Sequence, residues 1–231
     1  MRGWLAAILC IALTGIAFGQ ASKSDATKSK EAAKSAEPEV INLMPVKKPT
    51  TPGPFGFEAG MTKEQIIAKL GSKNIKRTSG DDIISFTTAP IPHPDFNDYT
   101  LRFAEDGRLI QIIAFTGPIS SNDSGDQVKD KFAEISKALH TKYGEGLDVD
   151  RLTPGSIWHD PNDWMMGLLK KDRNLESLWA PPDQKLPHHL TGIMLEAEAL
   201  TRSAALITLT YQFEGFAKWA DTQQNKRDSA F

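Results

Sequence analysis

Cysteine is almost missing from this chain, and Cys10 is the only one. It falls inside an apolar run near the start. A chain trimmed of that run has no thiol nucleophile, no thiolate metal ligand and no disulfide, and its fold rests on its core alone. An excess of charge of either sign is lacking too. The formal charge is −2, from 27 basic and 29 acidic residues, and there is no basic domain of the kind that nucleic acid requires. The sequence also has no Gly-x-Ser-x-Gly elbow, no glycine-rich phosphate loop and no His-x-x-x-His pair. A serine hydrolase and a nucleotide enzyme are therefore without support. What remains is an ordinary globular composition, 40% hydrophobic and 24% charged, which suits one domain or two small ones.

Arg2 is followed by an uncharged apolar stretch from Trp4 to Phe18 and by the small residues Ala17, Gly19 and Ala21. This pattern predicts a signal peptide over 1–21, cut after Gly19 or Ala21, and a periplasmic or secreted location. The run is short for a membrane span, so no stable span is expected after cleavage. Leu9 precedes Cys10 where a lipidation site wants a small residue, so Cys10 belongs to the segment that is removed. Residues 22–54, rich in Lys, Ala, Ser, Thr, Glu and Pro, read as a disordered linker with one apolar patch, Val40 to Met44.

The folded part is expected over 55–224, with a flexible tail at 225–231. Phe55 to Gly71 reads as a complete helix-starting unit. Thr62 and Gln65 make a capping box, Met61 and Ile66 a staple, and Ile66, Ile67 and Leu70 an apolar stripe that Gly71 ends. So short a helix is marginal alone and must pack on something, most simply a sheet. Ile83 to Thr87 reads as a strand. Tyr99, Leu101 and Phe103 alternate with Thr100, Arg102 and Ala104 before Asp106-Gly107, which predicts a hairpin with a two-residue turn. That register sets Glu105 against Arg108, Phe103 beside Ile110, Leu101 beside Ile112 and Tyr99 beside Ala114.

Ser124 and Gln127 suggest a second capping box, opening a helix to Tyr143 that Gly144 ends. Its apolar stripe is Val128, Phe132, Ile135, Leu139 and Tyr143. Beyond it, Ser156 to His159 and Leu175 to Trp179 read as short strands and Asn162 to Lys171 as a short helix. Leu190 to Ala199 and Ala205 to Phe213 are strong strands, and Gly215 to Gln224 is a last helix with Phe216 and Trp219 inward. A helix followed by antiparallel strands thus occurs twice, without a repeat at residue level.

Gly60-Met61-Thr62-Lys63-Glu64-Gln65-Ile66, with Leu70-Gly71, resembles the GMT-x-x-Q-V-x-x-L-G signature of the small outer-membrane-assembly lipoproteins of the SmpA/BamE kind. Related helix-plus-sheet units occur in β-lactamase-inhibitor-like proteins. The resemblance covers about seventeen residues. The chain departs from the pattern in having no lipidation cysteine, no Pro soon after Leu70-Gly71 and a greater length. The resemblance implies an exported α+β module used for protein contacts, and it carries over no functional residue.

Candidate chemistry is sparse. His159 with Asp160 and Asp163 forms the densest polar cluster and is the candidate metal site, although a lone His among acids near Pro is more often a loop. His188-His189 would hold one ion only from an irregular segment, because neighbours on a strand point to opposite faces. Trp158, Trp164 and Trp179 are the candidate ligand-binding residues, against the commoner use of indoles in cores and rims. The sequence implies no cofactor and names no catalytic residue. It leads to an α+β fold in which an antiparallel sheet packs two main helices on one face. The functional expectation is a non-enzymatic interaction module whose partner is another envelope or secreted protein. A small-ligand or lipid carrier and a metal-dependent hydrolase are the alternatives.

Overall fold

The computed structural model describes residues 52–71, 74–80, 82–180 and 185–229. The expected leader and nearly all of the expected linker lie outside them. The described residues all fall in one unit, Lys48–Phe231.

Thr62 caps α1 (Lys63–Leu70) as the sequence predicts, and both halves of the capping box form. The Gln65 N–H donates to the Thr62 hydroxyl at 3.4 Å and the Thr62 N–H to Gln65 Oε1 at 2.9 Å. Four strands follow: β1 (Ile75–Ser79), β2 (Ile83–Phe86), β3 (Phe96–Phe103) and β4 (Leu109–Thr116). The short β5 (Ile119–Ser120) leads to α2 (Asp126–Tyr143), and then come β6 (Leu147–Leu152), α3 (Trp164–Leu169), β7 (Arg173–Trp179), β8 (Leu190–Thr201), β9 (Ala204–Phe213) and α4 (Phe216–Asp228).

All nine strands join one antiparallel sheet in the order β1-β2-β3-β4-β9-β8-β7-β6, with β5 beside β9. Each half of the chain supplies a helix followed by four strands of the sheet, with α3 inserted after the first strand of the second set, and the halves meet where β4 pairs with β9. The entry to each helix repeats as well. Met61 bonds to the start of β4 through the Leu109 N–H at 2.9 Å, and Ser121 bonds to the turn before β9 through the Ser203 carbonyl at 2.9 Å. The doubling expected from element order is therefore present in the topology.

One face of the sheet is the core. A single row crosses eight strands as Ile75, Phe86, Tyr99, Ala114, Leu209, Leu195, Ser177 and Asp148. The next row, Ile84, Leu101, Ile112, Tyr211, Ile193 and Trp179, is buried throughout. Every residue of the predicted α2 stripe is buried, and the helix lies on this face. The Tyr143 and Tyr211 rings meet at 6.0 Å, and the Ser136 and Ser177 hydroxyls at 3.0 Å. Ile66 and Leu70 of α1 belong to the same core cluster.

Several expectations need correcting. The start of α2 is capped at Gly125, which offers no side chain. Asn122 takes the capping role instead, accepting the Asp126 N–H at 3.0 Å, while Gln127 Oε1 accepts the Asn122 N–H at 3.0 Å. The β3–β4 turn is longer than two residues. Ala104 pairs with Arg108 across it, and Gly107 sits at φ 77, as a three-residue loop with a left-handed residue demands. One extra residue then bulges, so Phe103 faces Leu109 rather than Ile110, and the expected register returns at Leu101–Ile112 and Tyr99–Ala114. Arg108 binds Asp106 at 2.6 Å, and Glu105 binds Lys226. Ser156 to His159 is not a strand. The last helix runs on to Asp228, past the expected end at Gln224.

Candidate functional site

The sequence-selected residues do not converge. Trp179 is buried, its indole N–H donating to the Gly144 carbonyl at 2.9 Å, and its ring lies 5.0 Å from that of His140. Trp164 is buried on the core face, with Lys129 Nζ 4.7 Å from its ring centre and its N–H 3.4 Å from an Asp150 oxygen. Trp158 is half-buried in the loop before α3. The two buried indoles serve as packing and tie points, and they do not wall one groove.

His159 and Asp160 are exposed. Asp160 caps the turn Pro161–Asp163 by accepting the Asn162 N–H at 2.8 Å, and Asp163 precedes α3 as its cap residue. Among the described residues no group of three His, Cys, Asp or Glu is placed to hold a metal ion. His188 and His189 do form an irregular segment, at φ 60 and 58. His189 Nδ1 lies 3.4 Å from a Glu214 carboxylate oxygen.

The larger feature is the second face of the sheet. Its central row runs Arg77, Ser85, Thr100, Ile113, Thr210, Met194, Leu178 and Leu147 from edge to edge. Ile113, Met194 and Leu178 are half-buried, and Leu147 is 62% exposed. At one end α4 partly covers this face, with Trp219 stacked 4.5 Å from the Arg102 guanidinium. The Arg102 Nε is buried there without a hydrogen-bond acceptor.

On the same face the register sets Phe115, Thr208, Glu196, Glu176 and Val149 in a row, with Glu196 directly opposite Glu176. Glu198 lies two residues along β8, its carboxylate 2.9 Å from Lys171. Like charges facing each other across a sheet are destabilising. Burial first, and then the Glu198 and Glu176 charges, push the Glu196 carboxyl above its ordinary value, while Lys171 opposes the shift. A carboxyl raised on folding is penalised when ionised. Its cost is present above the folded pKa and disappears as pH falls toward the unfolded value of about 4.3. Glu196→Gln is therefore expected to raise the urea midpoint at pH 7 and to leave it unchanged at pH 4. An equal effect at both pH values would contradict this.

Sequence reasoning missed these acids. The alternation in Leu195-Glu196-Ala197-Glu198 already puts two of them on one face, but Glu176 joins only through the β7–β8 register.

The molecule is thus an α+β protein built on one antiparallel sheet, with a helix-covered core face and a half-open second face. Among the described residues no helix is long and apolar enough to cross a membrane. Compared with protein-family models, curated proteins and solved structures, the chain matches none of them.

Proposed function

We propose that this chain is an exported, non-enzymatic interaction module of the cell envelope, and that its open sheet face receives another protein. The observation that carries the reading is the composition of that face. Half-buried Met194 and Leu178 flank a carboxylate pair, Glu196 and Glu176, held opposite each other, and half-buried Ile113 and Phe115 continue the same two rows beyond β9. Broad apolar area interleaved with charge suits a protein surface better than a lipid, because a lipid tail would leave the carboxylates unpaired. The occupant that fits is a protein presenting Lys or Arg between apolar side chains. Such a cation would relieve the repulsion between Glu176 and Glu196 at the moment of binding. Export is supported by the leader pattern at 1–21, and the envelope setting by the resemblance around Gly60 to Gly71.

The test uses the full chain with a photo-crosslinking residue at Met194 or, as comparison, at Lys137 on the exposed side of α2. A discrete crosslinked protein is expected from Met194 and not from Lys137. Once identified and purified, that partner is expected to bind the Glu196→Lys variant about tenfold or more weakly, a change of about 1.4 kcal/mol. Equal crosslinking from both positions, or unaltered affinity for the folded Glu196→Lys chain, would overturn the reading.

A further inference from the structure

We propose that the cleft between the β3–β4 hairpin and α4 is a second binding site, for a small anion with a flat apolar body such as an aromatic carboxylate or sulfonate. The cleft holds about 670 Å³, inside the range of about 300–1,000 Å³ typical of small-molecule sites. Its floor is apolar, made by the buried Leu109 and Ile110. One wall is Trp219, whose ring is held on two sides, by Phe216 at 5.7 Å between centres and by the Arg102 guanidinium at 4.5 Å. A ring fixed in this way is a preformed apolar wall against which a flat ligand packs.

The rim decides the charge of that ligand. Three acids line the cleft: Glu105 binds Lys226, Asp106 binds Arg108 at 2.6 Å, and a Glu214 carboxylate oxygen lies 3.4 Å from the His189 ring Nδ1. Lys218 also lines it, and among the described residues no acid pairs with Lys218. It stands in the first turn of α4, where Gly215 supplies no side-chain cap and no acidic residue is present. The positive end of the helix and a free ammonium therefore share one side of the mouth.

Beside the start of α4 the cleft is bordered by His189, whose neighbour His188 shares its backbone conformation. Both residues hold a left-handed conformation that side chains rarely adopt and that gathers at binding sites. The His189 carbonyl accepts the Glu214 N–H at 3.3 Å, which fixes this strained corner against the end of β9. None of these residues belongs to the carboxylate row on the sheet face, so the two sites stand or fall separately.

The experiment titrates the full chain with anilinonaphthalene sulfonate, a flat apolar body carrying one anionic group, and follows its fluorescence. Saturable binding at one site per chain is expected. Lys218→Glu should weaken it about tenfold, and Thr222→Trp, which fills the cleft from α4, should abolish it, with circular dichroism unchanged in both. Lys137→Glu, the same charge change on α2, should leave binding as it was. The proposal is overturned if no saturable binding is seen. It is equally overturned if the folded Lys218→Glu and Thr222→Trp chains bind as the unaltered one does, because the dye would then sit elsewhere.

Discussion

Alanine at Gly125 is expected to destabilise the protein by about 2–6 kcal/mol, the sum of a left-handed backbone cost and an overpacking cost. Gly125 is the cap of α2 at φ 76, and a methyl group built there would lie 2.1 Å from Cε3 of Trp164. The ring has little room to yield. It is buried, its N–H reaches Asp150, and Lys129 and Arg173 approach its π face at 4.7 and 5.8 Å. Urea unfolding gives the cost directly. The steric part is separable, because in a Trp164→Leu background the Gly125→Ala change should cost distinctly less. A Gly125→Ala chain within about 1 kcal/mol of the original would show that the start of α2 can shift away from Trp164.

Trp179→Ala should cost about 3–5 kcal/mol, as removal of a fully buried indole does. The side chain is 1% exposed, and it joins three parts of the fold. Its N–H holds the Gly144 carbonyl at the end of α2, its ring meets His140, and it passes so close to Gly146 that a methyl group there would lie 2.7 Å from the indole. It therefore fixes how the chain leaves α2 and enters the edge strand β6. Trp179→Phe retains most of the apolar volume and loses the hydrogen bond, so a smaller loss of about 1–2 kcal/mol is expected. Equal losses for Phe and Ala would mean that the hydrogen bond, rather than the packed ring, dominates. Because β7 also carries Glu176, the Ala variant should weaken partner binding even under conditions where it remains folded.

Much of the fold was legible wherever a local rule has one solution. The Thr62 and Gln65 box forms as read, since both partners lie within one turn of each other and need nothing from elsewhere. The α2 stripe is buried residue for residue, because a period of 3.6 marks a single face. Leu101–Ile112 and Tyr99–Ala114 pair as expected, and the strong alternation of the last two strands places β8 and β9 to within a residue or two. The second cap failed for a local reason. Ser124 and Asn122 compete to close the same turn, and Asn122 reaches the Asp126 amide from outside the expected box.

The edge strands were not legible in the same way. Ile75–Ser79 shows little hydrophobic alternation, and Leu147–Leu152 alternates only over its first four residues with the apolar ones on the second face, so most of the side chains of both meet water. Such strands exist because a neighbour offers free backbone groups, and that is invisible in a window of five or six residues.

By itself, then, the sequence determined the class of fold, both main helices, the core stripe of each and the central strands, because these follow from spacing along the chain. Only the tertiary structure decided the strand order, and with it everything proposed about function. The pairing of β4 with β9 makes two halves into one sheet, and the β7–β8 register brings Glu176 across from Glu196. The fold of α4 back over the β3–β4 hairpin sets Trp219 and Lys218 around a cleft. Each of these depends on residues far apart in sequence meeting at a particular register, and no local spacing encodes a register between distant strands.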